Sequence, residues 1–207
     1  MWFGSKKGLD MTQSPMYNGK TKGRKIFAQK REVFYMKDKS LAVANNLLRK
    51  ASIDGINDIT LMKLQKLLYF LYARYLYMTR DLTQDENGRS LFSNRFEAVT
   101  NGPDLVSIHN AFTSNNLGEK SSIGSNYFKE ADGVIYAIDE ENSPVFKKCL
   151  EEVLERFGGY DGEYLSNLTH EDGTAWTLAR NRGDDVLRDS EVIVDGERFF
   201  KDLEAAS

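Results

Sequence analysis

The chain has 207 residues, 41% of them hydrophobic and 29% charged, which is the composition of a folded globular protein. One cysteine and two histidines exclude an internal disulfide and the usual zinc clusters. The absence of an apolar signal segment or a membrane-length apolar run predicts a cytoplasmic protein with no membrane partner. The net charge of −3 is unevenly distributed: residues 1–39 hold ten Lys/Arg and three Asp/Glu (+7), and the other eighteen Lys/Arg and twenty-eight Asp/Glu give −10.

Residues 1–37 carry most of this positive charge, are rich in Lys and Gly, and show no sustained periodicity. We predict that they form a basic N-terminal extension or linker, and that residues 38–207 form one helical domain. A Lys-rich segment can bind the phosphate backbone of a nucleic acid, pack against the acidic remainder of the chain, or remain a solvated tail. The sequence leaves these three alternatives open.

Two helices are predicted in the first part of the domain. Leu and Ala residues recur at three- and four-residue steps over 38–51, which indicates an amphipathic helix. A stronger apolar pattern over 60–80, which Asp58 or Thr60 can cap, predicts a second helix. Because its apolar surface covers much of the cylinder, we expect the second helix to lie at the centre of the core.

Polar residues interrupt the apolar surface of this central helix. Lys63, Lys66 and Arg74 predict a polar margin along it. Gln65 and Tyr69 lie four residues apart and carry polar ends that can satisfy buried neighbours. The pattern favours a core helix with one polar edge.

Turn signals follow in the middle of the chain. Residues 101–103 predict a turn, with Gly102 for the bend and Pro103 near the start of a short helix that carries Phe112. The alternation over 126–139 around an Ala-Asp-Gly turn predicts two short strands, that is, a small hairpin.

The last third of the chain again has helical spacing. A helix is predicted over 144–157, another over 163–168, and a further short one that carries Trp176. A terminal helix is predicted within 192–206, with Asp195 as its cap. The predicted fold is therefore mainly α, a compact multi-helix domain with a small β-hairpin and a basic N-terminal extension.

No pattern for catalysis is present. Cys149 with His109 or His170 would form a nucleophilic pair, but Cys149 lies in an apolar helical stripe where a thiol is usually inert. The chain lacks a G-x-S-x-G elbow and a glycine loop for phosphate. The consecutive His170, Glu171 and Asp172 cannot all face one metal ion from a regular helix. We expect no enzyme, no cofactor and no metal.

The sharpest polar grouping is Thr169-His170-Glu171, with Trp176 five residues later. Thr can cap a turn, His can accept or donate a buried hydrogen bond, and Trp can close the core while its indole N–H finds a partner. Two interpretations remain: a corner that locks the last helices onto the core, or a direct contact with a partner.

Three segments resemble the Panacea-domain family of SocA-like antitoxins. They are LMKLQKLLYFLYARYL at 61–76, FEAVTNGP at 96–103 and LSNLTHEDGTAW at 165–176, and they occur in the family's order. The similarity covers residues 38–205, which leaves the basic extension outside it. Three positions depart from the family's usual residues: Asp104 replaces an aliphatic residue, His109 a tyrosine, and Ala175 a proline.

The resemblance implies a mostly helical bacterial or prophage protein of a toxin–antitoxin system, encoded beside a toxin gene. It implies that the protein neutralises a cognate protein toxin by direct protein–protein interaction, without a cofactor. A small alarmone-synthetase-like enzyme is among the toxin types that the family meets. The motif residues carried over as partner-binding or motif positions are Lys63, Gln65, Lys66, Tyr69, Gly102, Pro103, Thr169, His170 and Trp176.

Two other classes of function fit the same residues. A related domain can act as an adaptor that delivers a partner to a protease, or as a phage-borne modulator of a host protein. Alternatively, the basic extension binds nucleic acid, in which case binding collapses with added salt and is lost on deletion of residues 1–37.

Overall fold

The computed structural model of the protein describes most of the predicted helical domain. The predicted extension lies outside the described residues, so its boundary after residue 37 stays a prediction. The described ranges are residues 39–81, 91–92, 94–114, 122–123, 127–129 and 133–204.

These ranges contain seven helices and one two-stranded antiparallel hairpin, which confirms the predicted mainly α fold. The helices form where apolar residues recur at helical spacing, and the strands are only three residues long. In chain order the elements are α1 Lys39–Ile53, α2 Leu61–Thr79, β1 Glu97–Val99, β2 Gly102–Asp104, α3 Val106–Ser114, α4 Pro144–Phe157, α5 Gly162–Thr169, α6 Ala175–Arg182 and α7 Asp189–Glu204.

Helix α2 is the centre of the core, as predicted. Sixteen of its nineteen residues are buried, and it packs against α7, α4 and α5. The Thr60 side chain accepts a hydrogen bond from the Lys63 N–H, which confirms the predicted cap. In α7, a Cβ on Gly196 would lie 2.2 Å from the Ala73 carbonyl oxygen. The close approach of α2 and α7 therefore requires glycine at this position.

Aromatic rings join α2 to two of the helices that pack against it, α4 and α7. Phe70 of α2 stacks on Phe157 of α4, with ring centroids 4.3 Å apart, and meets Phe199 of α7 edge to face at 5.0 Å. Such pairs add about 0.5–1.5 kcal/mol each beyond the burial of their area. Since the three rings come from three elements, they couple the packing of α2, α4 and α7.

The predicted polar margin of α2 is wrong. Lys63, Lys66 and Arg74 are only 1%, 2% and 2% exposed. Each has a distant or loop partner that offsets part of its desolvation; for Arg74 this is Glu152 of α4, at 2.7 Å from Nε to Oε2. Helical periodicity indicates the direction of a side chain but not its partner. Because the partners of these cations could not be predicted, the cations were expected at the surface.

The hairpin predicted over 126–139 is also wrong in position, because the hairpin of this fold lies at β1–β2. Residues 127–129 and 133–139 form no strand, and residues 131 and 132 of the predicted turn lie outside the described ranges. The Asn45 side chain of α1 lies between the two segments: its amide donates to the carbonyls of Phe128 and Tyr136, both at 2.9 Å. These bonds replace those of a strand ladder.

A second asparagine repeats this arrangement one residue along α1. The Asn46 amide donates to the Ile138 carbonyl at 3.0 Å, and its oxygen accepts from the Ile138 N–H at 2.7 Å. The segment 133–139 is thus held to α1 by side-chain hydrogen bonds, which buried backbone groups require in place of a ladder.

The predicted helices of the last third are confirmed, apart from one boundary. Pro144 starts α4, and Cys149 is buried within its apolar face. Helix α7 begins at Asp189, six residues before Asp195, so Asp195 lies inside the helix and does not cap it.

The predicted position of Pro103 is also wrong, because Pro103 lies in β2 and not at the start of α3.

Neither a membrane span nor a metal site was found in the part of the chain that the structure describes. None of the helices in these ranges is both long and apolar enough to cross a bilayer. No three His, Cys, Asp or Glu side chains in these ranges are arranged to hold a metal ion.

Candidate functional site

The β1–β2 hairpin brings the second motif segment onto α2. Val99 pairs with Gly102, and Thr100 and Asn101 form an exposed turn between the strands. Gly102 has φ +99°, a conformation that side chains other than glycine rarely adopt. Glycine at this position lets the chain turn tightly above the buried end of Lys66.

Gly102 is the point where the three motif segments meet. A Cβ at Gly102 would lie 2.6 Å from Thr169 Oγ1 and 3.0 Å from Lys66 Cε. Lys66 Nζ donates to the Pro103 carbonyl at 2.9 Å. The structure therefore brings four of the predicted positions, from α2, β2 and α5, into one contact.

Hydroxyl groups of α5 and the following corner complete this contact. Ser166 Oγ donates to the Asn101 carbonyl, Thr169 Oγ1 to the Ser166 carbonyl, and Thr174 Oγ1 to the Thr169 carbonyl, each at 2.7 Å. Thr174 also caps α6 by accepting from the Thr177 N–H. The hairpin tip, the end of α5 and the start of α6 are thus joined by one chain of hydrogen bonds.

Trp176 covers the outer side of this chain of hydrogen bonds. Its indole N–H donates to the Val99 carbonyl at 2.8 Å, and its ring stacks on His170 at a centroid distance of 3.9 Å. Both side chains are half-buried. His170 Nε2 is buried without a hydrogen-bond partner among the described residues. The predicted corner is confirmed as a structural lock that also reaches the surface.

Burial sets the charge state of the groups around Gly102. Desolvation lowers the pKa of Lys66 to about 8, and the nearby Asp104 carboxylate opposes this shift. Burial, and secondarily the Lys66 charge, lower the pKa of His170 below its ordinary value of 6.5. Burial thus disfavours the charged forms of both side chains.

Gln65 and Tyr69 anchor the neighbours of this cluster. The Gln65 amide donates to the Leu105 carbonyl and its oxygen accepts from the Leu105 N–H, both at 3.0 Å. Tyr69 donates its hydroxyl proton to Asp195 Oδ2, which also accepts from the Ala175 N–H at 3.0 Å. Gln65 thus fixes the end of β2, and Tyr69 fixes the start of α6.

The contacts of Asp195 were not predicted from the sequence. Its carboxyl is buried in α7, and this burial raises its pKa to about 6. The spacing of Val192, Asp195 and Phe199 on one helical face was the available signal, because an acid at such a position points into the core. Lys63, by contrast, lies apart from the cluster, where its Nζ is 2.7 Å from Asp58 Oδ1.

The three departures from the family's usual residues have contacts of their own. Asp104 and His109 are neighbours, with Oδ2 and Nδ1 3.8 Å apart. Ala175 supplies the N–H that Asp195 accepts, a donor that proline lacks. The first two departures thus lie side by side, and the third adds a hydrogen bond to the core.

The exposed part of the cluster is small and well defined. We name it the corner surface: the hairpin tip, the stacked pair and the acid beside it, that is, Thr100, Asn101, His170, Glu171 and Trp176. The other predicted positions are buried, and all of them except Lys63 belong to the cluster beneath this surface. The corner surface is the part of the cluster that is open to solvent.

Comparison with known proteins places the chain in a family with this motif set. Residues 64–177, more than half of the chain, match the family described as "Antitoxin SocA-like, Panacea domain". The chain belongs to this family of SocA-like antitoxins. The matched region contains the whole corner surface, and Lys63 and Asp195 lie outside it.

A curated relative agrees with this assignment. The chain is 30% identical over 141 residues to "Antitoxin SocA" of Caulobacter vibrioides (strain NA1000 / CB15N), which covers 68% of this chain and 69% of the relative. No solved structure matches the chain. Membership of an antitoxin family supports a non-enzymatic role.

Proposed function

We propose that this protein neutralises a cognate protein toxin by direct binding, and that the corner surface is part of the contact. The observation that carries the proposal is the convergence of three motif segments on Gly102. These segments hold a half-exposed His170–Trp176 stack and the turn at Thr100 and Asn101 in one fixed arrangement. Tryptophan is enriched among the residues that dominate binding energy at protein interfaces.

The buried polar network supports a role beyond stability. Burying the Lys66 ammonium costs desolvation free energy, which apolar side chains would avoid. The network instead fixes the position of the hairpin tip relative to the stack. A pre-organised surface loses less entropy on binding, which favours tight association.

The first test is growth rescue. The chain is co-expressed with the product of its neighbouring gene and with a panel of toxins that includes a small alarmone-synthetase-like enzyme. We expect rescue by one of them, with the toxin still abundant and recovered in a stable complex. Rescue accompanied by disappearance of the toxin would instead support a proteolytic adaptor.

Matched surface variants locate the contact. Asn101→Arg places a long cation on the exposed hairpin turn, and Asn110→Arg places the same group on an exposed position of α3. We expect Asn101→Arg to weaken the complex by about tenfold or more and Asn110→Arg to leave it unchanged. Equal affinities of the two variants would remove the corner surface from the contact.

Failure of every toxin to bind would contradict the proposal. The nucleic-acid alternative would then be measured with a labelled DNA duplex at two salt concentrations. That alternative predicts salt-sensitive binding that is lost on deletion of residues 1–37.

A further inference from the structure

Helix α5 has one face in the core and one face in solvent. Its inward residues follow helical spacing and pack against α2 and the hairpin: Gly162, Leu165, Ser166 and Thr169. A Cβ on Gly162 would lie 2.8 Å from the Lys63 backbone nitrogen, so α5 lies directly on the start of α2. Three outward residues of the helix are exposed, Glu163, Tyr164 and Asn167, as are Tyr160 just before α5 and Glu171 just after it. We name this set the α5 face.

Two tyrosines at the start of the α5 face stack on each other in solvent. The ring centroids of Tyr160 and Tyr164 are 4.4 Å apart with an interplanar angle of 20°. The two residues remain 44% and 45% exposed. Since the pair keeps so much surface in water, its outer ring surfaces are available to a flat or cationic group of a partner.

The segment that carries the tyrosine pair has charged residues of one sign only. Between Arg156 and Arg180 the sequence contains no Lys or Arg and four Asp/Glu, all of them exposed: Asp161, Glu163, Glu171 and Asp172. The two flanking arginines are already engaged, Arg156 with Asp202 and Arg180 with the Ala98 carbonyl. From elsewhere in the chain, Arg198 donates to the Asp172 backbone carbonyl.

We propose that the α5 face binds a basic, arginine-bearing segment of the toxin. This proposal rests on the proposed function, in which the toxin is the partner. A guanidinium group stacks on a tyrosine ring and pairs with a carboxylate at the same time, which an ammonium group does less well. The exposed carboxylates and paired rings supply both halves of this recognition.

The α5 face is continuous with the corner surface. The eight residues of α5 span about 12 Å, with Tyr164 near one end and His170 immediately beyond the other. An interface of ordinary size buries about 800 Å² on each partner, which is large enough to include both ends of this helix. One toxin can therefore contact the stacked tyrosines and the His170–Trp176 stack together.

A purely local role is the rival explanation of the tyrosine pair. Asp161 caps α5 by accepting from the Tyr164 N–H, and a ring contact across this cap stabilises the helix start. This role predicts a lower melting temperature for Tyr164→Ala and no effect on any ligand. Glu163→Lys leaves both rings in place and therefore separates the two explanations: a purely local role of the tyrosine pair predicts unchanged ligand binding by this variant.

The test uses the full chain and two labelled peptides, (Arg-Gly)5 and (Glu-Gly)5, measured by fluorescence anisotropy. We expect only the arginine peptide to bind, with about tenfold weaker binding to Tyr164→Ala and Glu163→Lys. Glu151→Lys, at an exposed position of α4, and Tyr164→Phe are expected to bind as the wild type does. Equal binding of the peptide to Glu163→Lys and Glu151→Lys would overturn the proposal.

Toxin rescue by the same variants separates this inference from the proposed function. If the wild type and Glu163→Lys rescue growth equally and hold the toxin with equal affinity, the α5 face is not the contact and direct neutralisation stands. If the wild type binds no toxin, direct neutralisation fails, and the peptide measurement still decides whether the α5 face recognises arginine.

Discussion

At Gly102 the absence of a side chain allows the close packing of the site. Gly102 combines a positive φ with contacts to Thr169 and Lys66 that leave no room for a Cβ. Gly55 also has a positive φ, of +78°, but nothing within 4 Å of its Cβ position. A side chain at Gly55 would therefore add backbone strain alone, whereas a side chain at Gly102 would add both strain and a steric clash.

We expect Gly102→Ala to lower the free energy of unfolding by about 2–4 kcal/mol, since strain and a clash add together. Gly55→Ala, which adds strain alone, is expected to cost about 1 kcal/mol. Urea unfolding of both variants measures the difference. Equal costs would mean that Lys66 and Thr169 move aside easily and do not define the site.

Asp195 makes the stability of the fold depend on pH. Burial raises its folded pKa to about 6, from an ordinary value of 3.8. Between these two values the folded state binds a proton that the unfolded state does not, so the free energy of unfolding rises as the pH falls from 6 to 4. Tyr69, Arg198 and Glu191 are the other titratable groups that act on this carboxyl.

Asp195→Asn is expected to lack this component. From pH 7 to pH 4, the wild type should gain about 2–3 kcal/mol relative to the variant, because two pKa units correspond to about that free energy. Denaturant unfolding of both proteins at the two pH values measures this difference in the free energy of unfolding. The contributions of other titratable groups largely cancel between the two proteins. Parallel pH profiles would show that this carboxyl does not titrate in that range.

At the scale of elements, the helices were predictable and the extended segments were not. A helix such as α4 is predicted by the spacing of its apolar residues and by Pro144 at its first turn, and both are local signals. The β1–β2 hairpin depends on remote partners: the Ala98 N–H donates to the Asp185 carbonyl, and the Leu187 N–H to the Phe96 carbonyl. No local pattern contains those contacts.

Most residues of the cluster around Gly102 were indicated by the sequence, but their contacts were not. Resemblance to the family indicated Lys66, Gly102, Thr169 and Trp176, and the structure brings them together. That Lys66 is buried, and that Asp195 contacts the start of α6, follow only from packing between elements distant in sequence. Spacing along one helix carries no information about such partners.

The asparagines of α1 offer a test at the element scale. Asn45→Ala removes the bonds to Phe128 and Tyr136 and leaves buried backbone groups without partners. We expect a loss of about 2–4 kcal/mol in the free energy of unfolding, with faster amide exchange over 127–129. Asn57→Ala, in an exposed loop, is expected to cost less than about 0.5 kcal/mol. Similar costs for the two variants would mean that Asn45 does not hold these segments.

At the scale of the whole molecule, one central helix connects a rigid core to a defined surface. Helix α2 carries the apolar surface around which the other helices pack, and Gln65, Lys66 and Tyr69 fix the elements that bear the corner surface. The α5 face continues that surface along one helix. A protein of an antitoxin family with this arrangement is suited to recognise its target by fit and charge.

Direct binding to the toxin is the central claim, and titration calorimetry of the purified chain against the purified product of the neighbouring gene tests it most directly. We predict saturable binding with a defined stoichiometry, loss of toxin activity at the same equivalence point, and weaker binding by Asn101→Arg than by Asn110→Arg. The absence of any complex at micromolar concentrations, with growth rescue still observed in cells, would contradict the account.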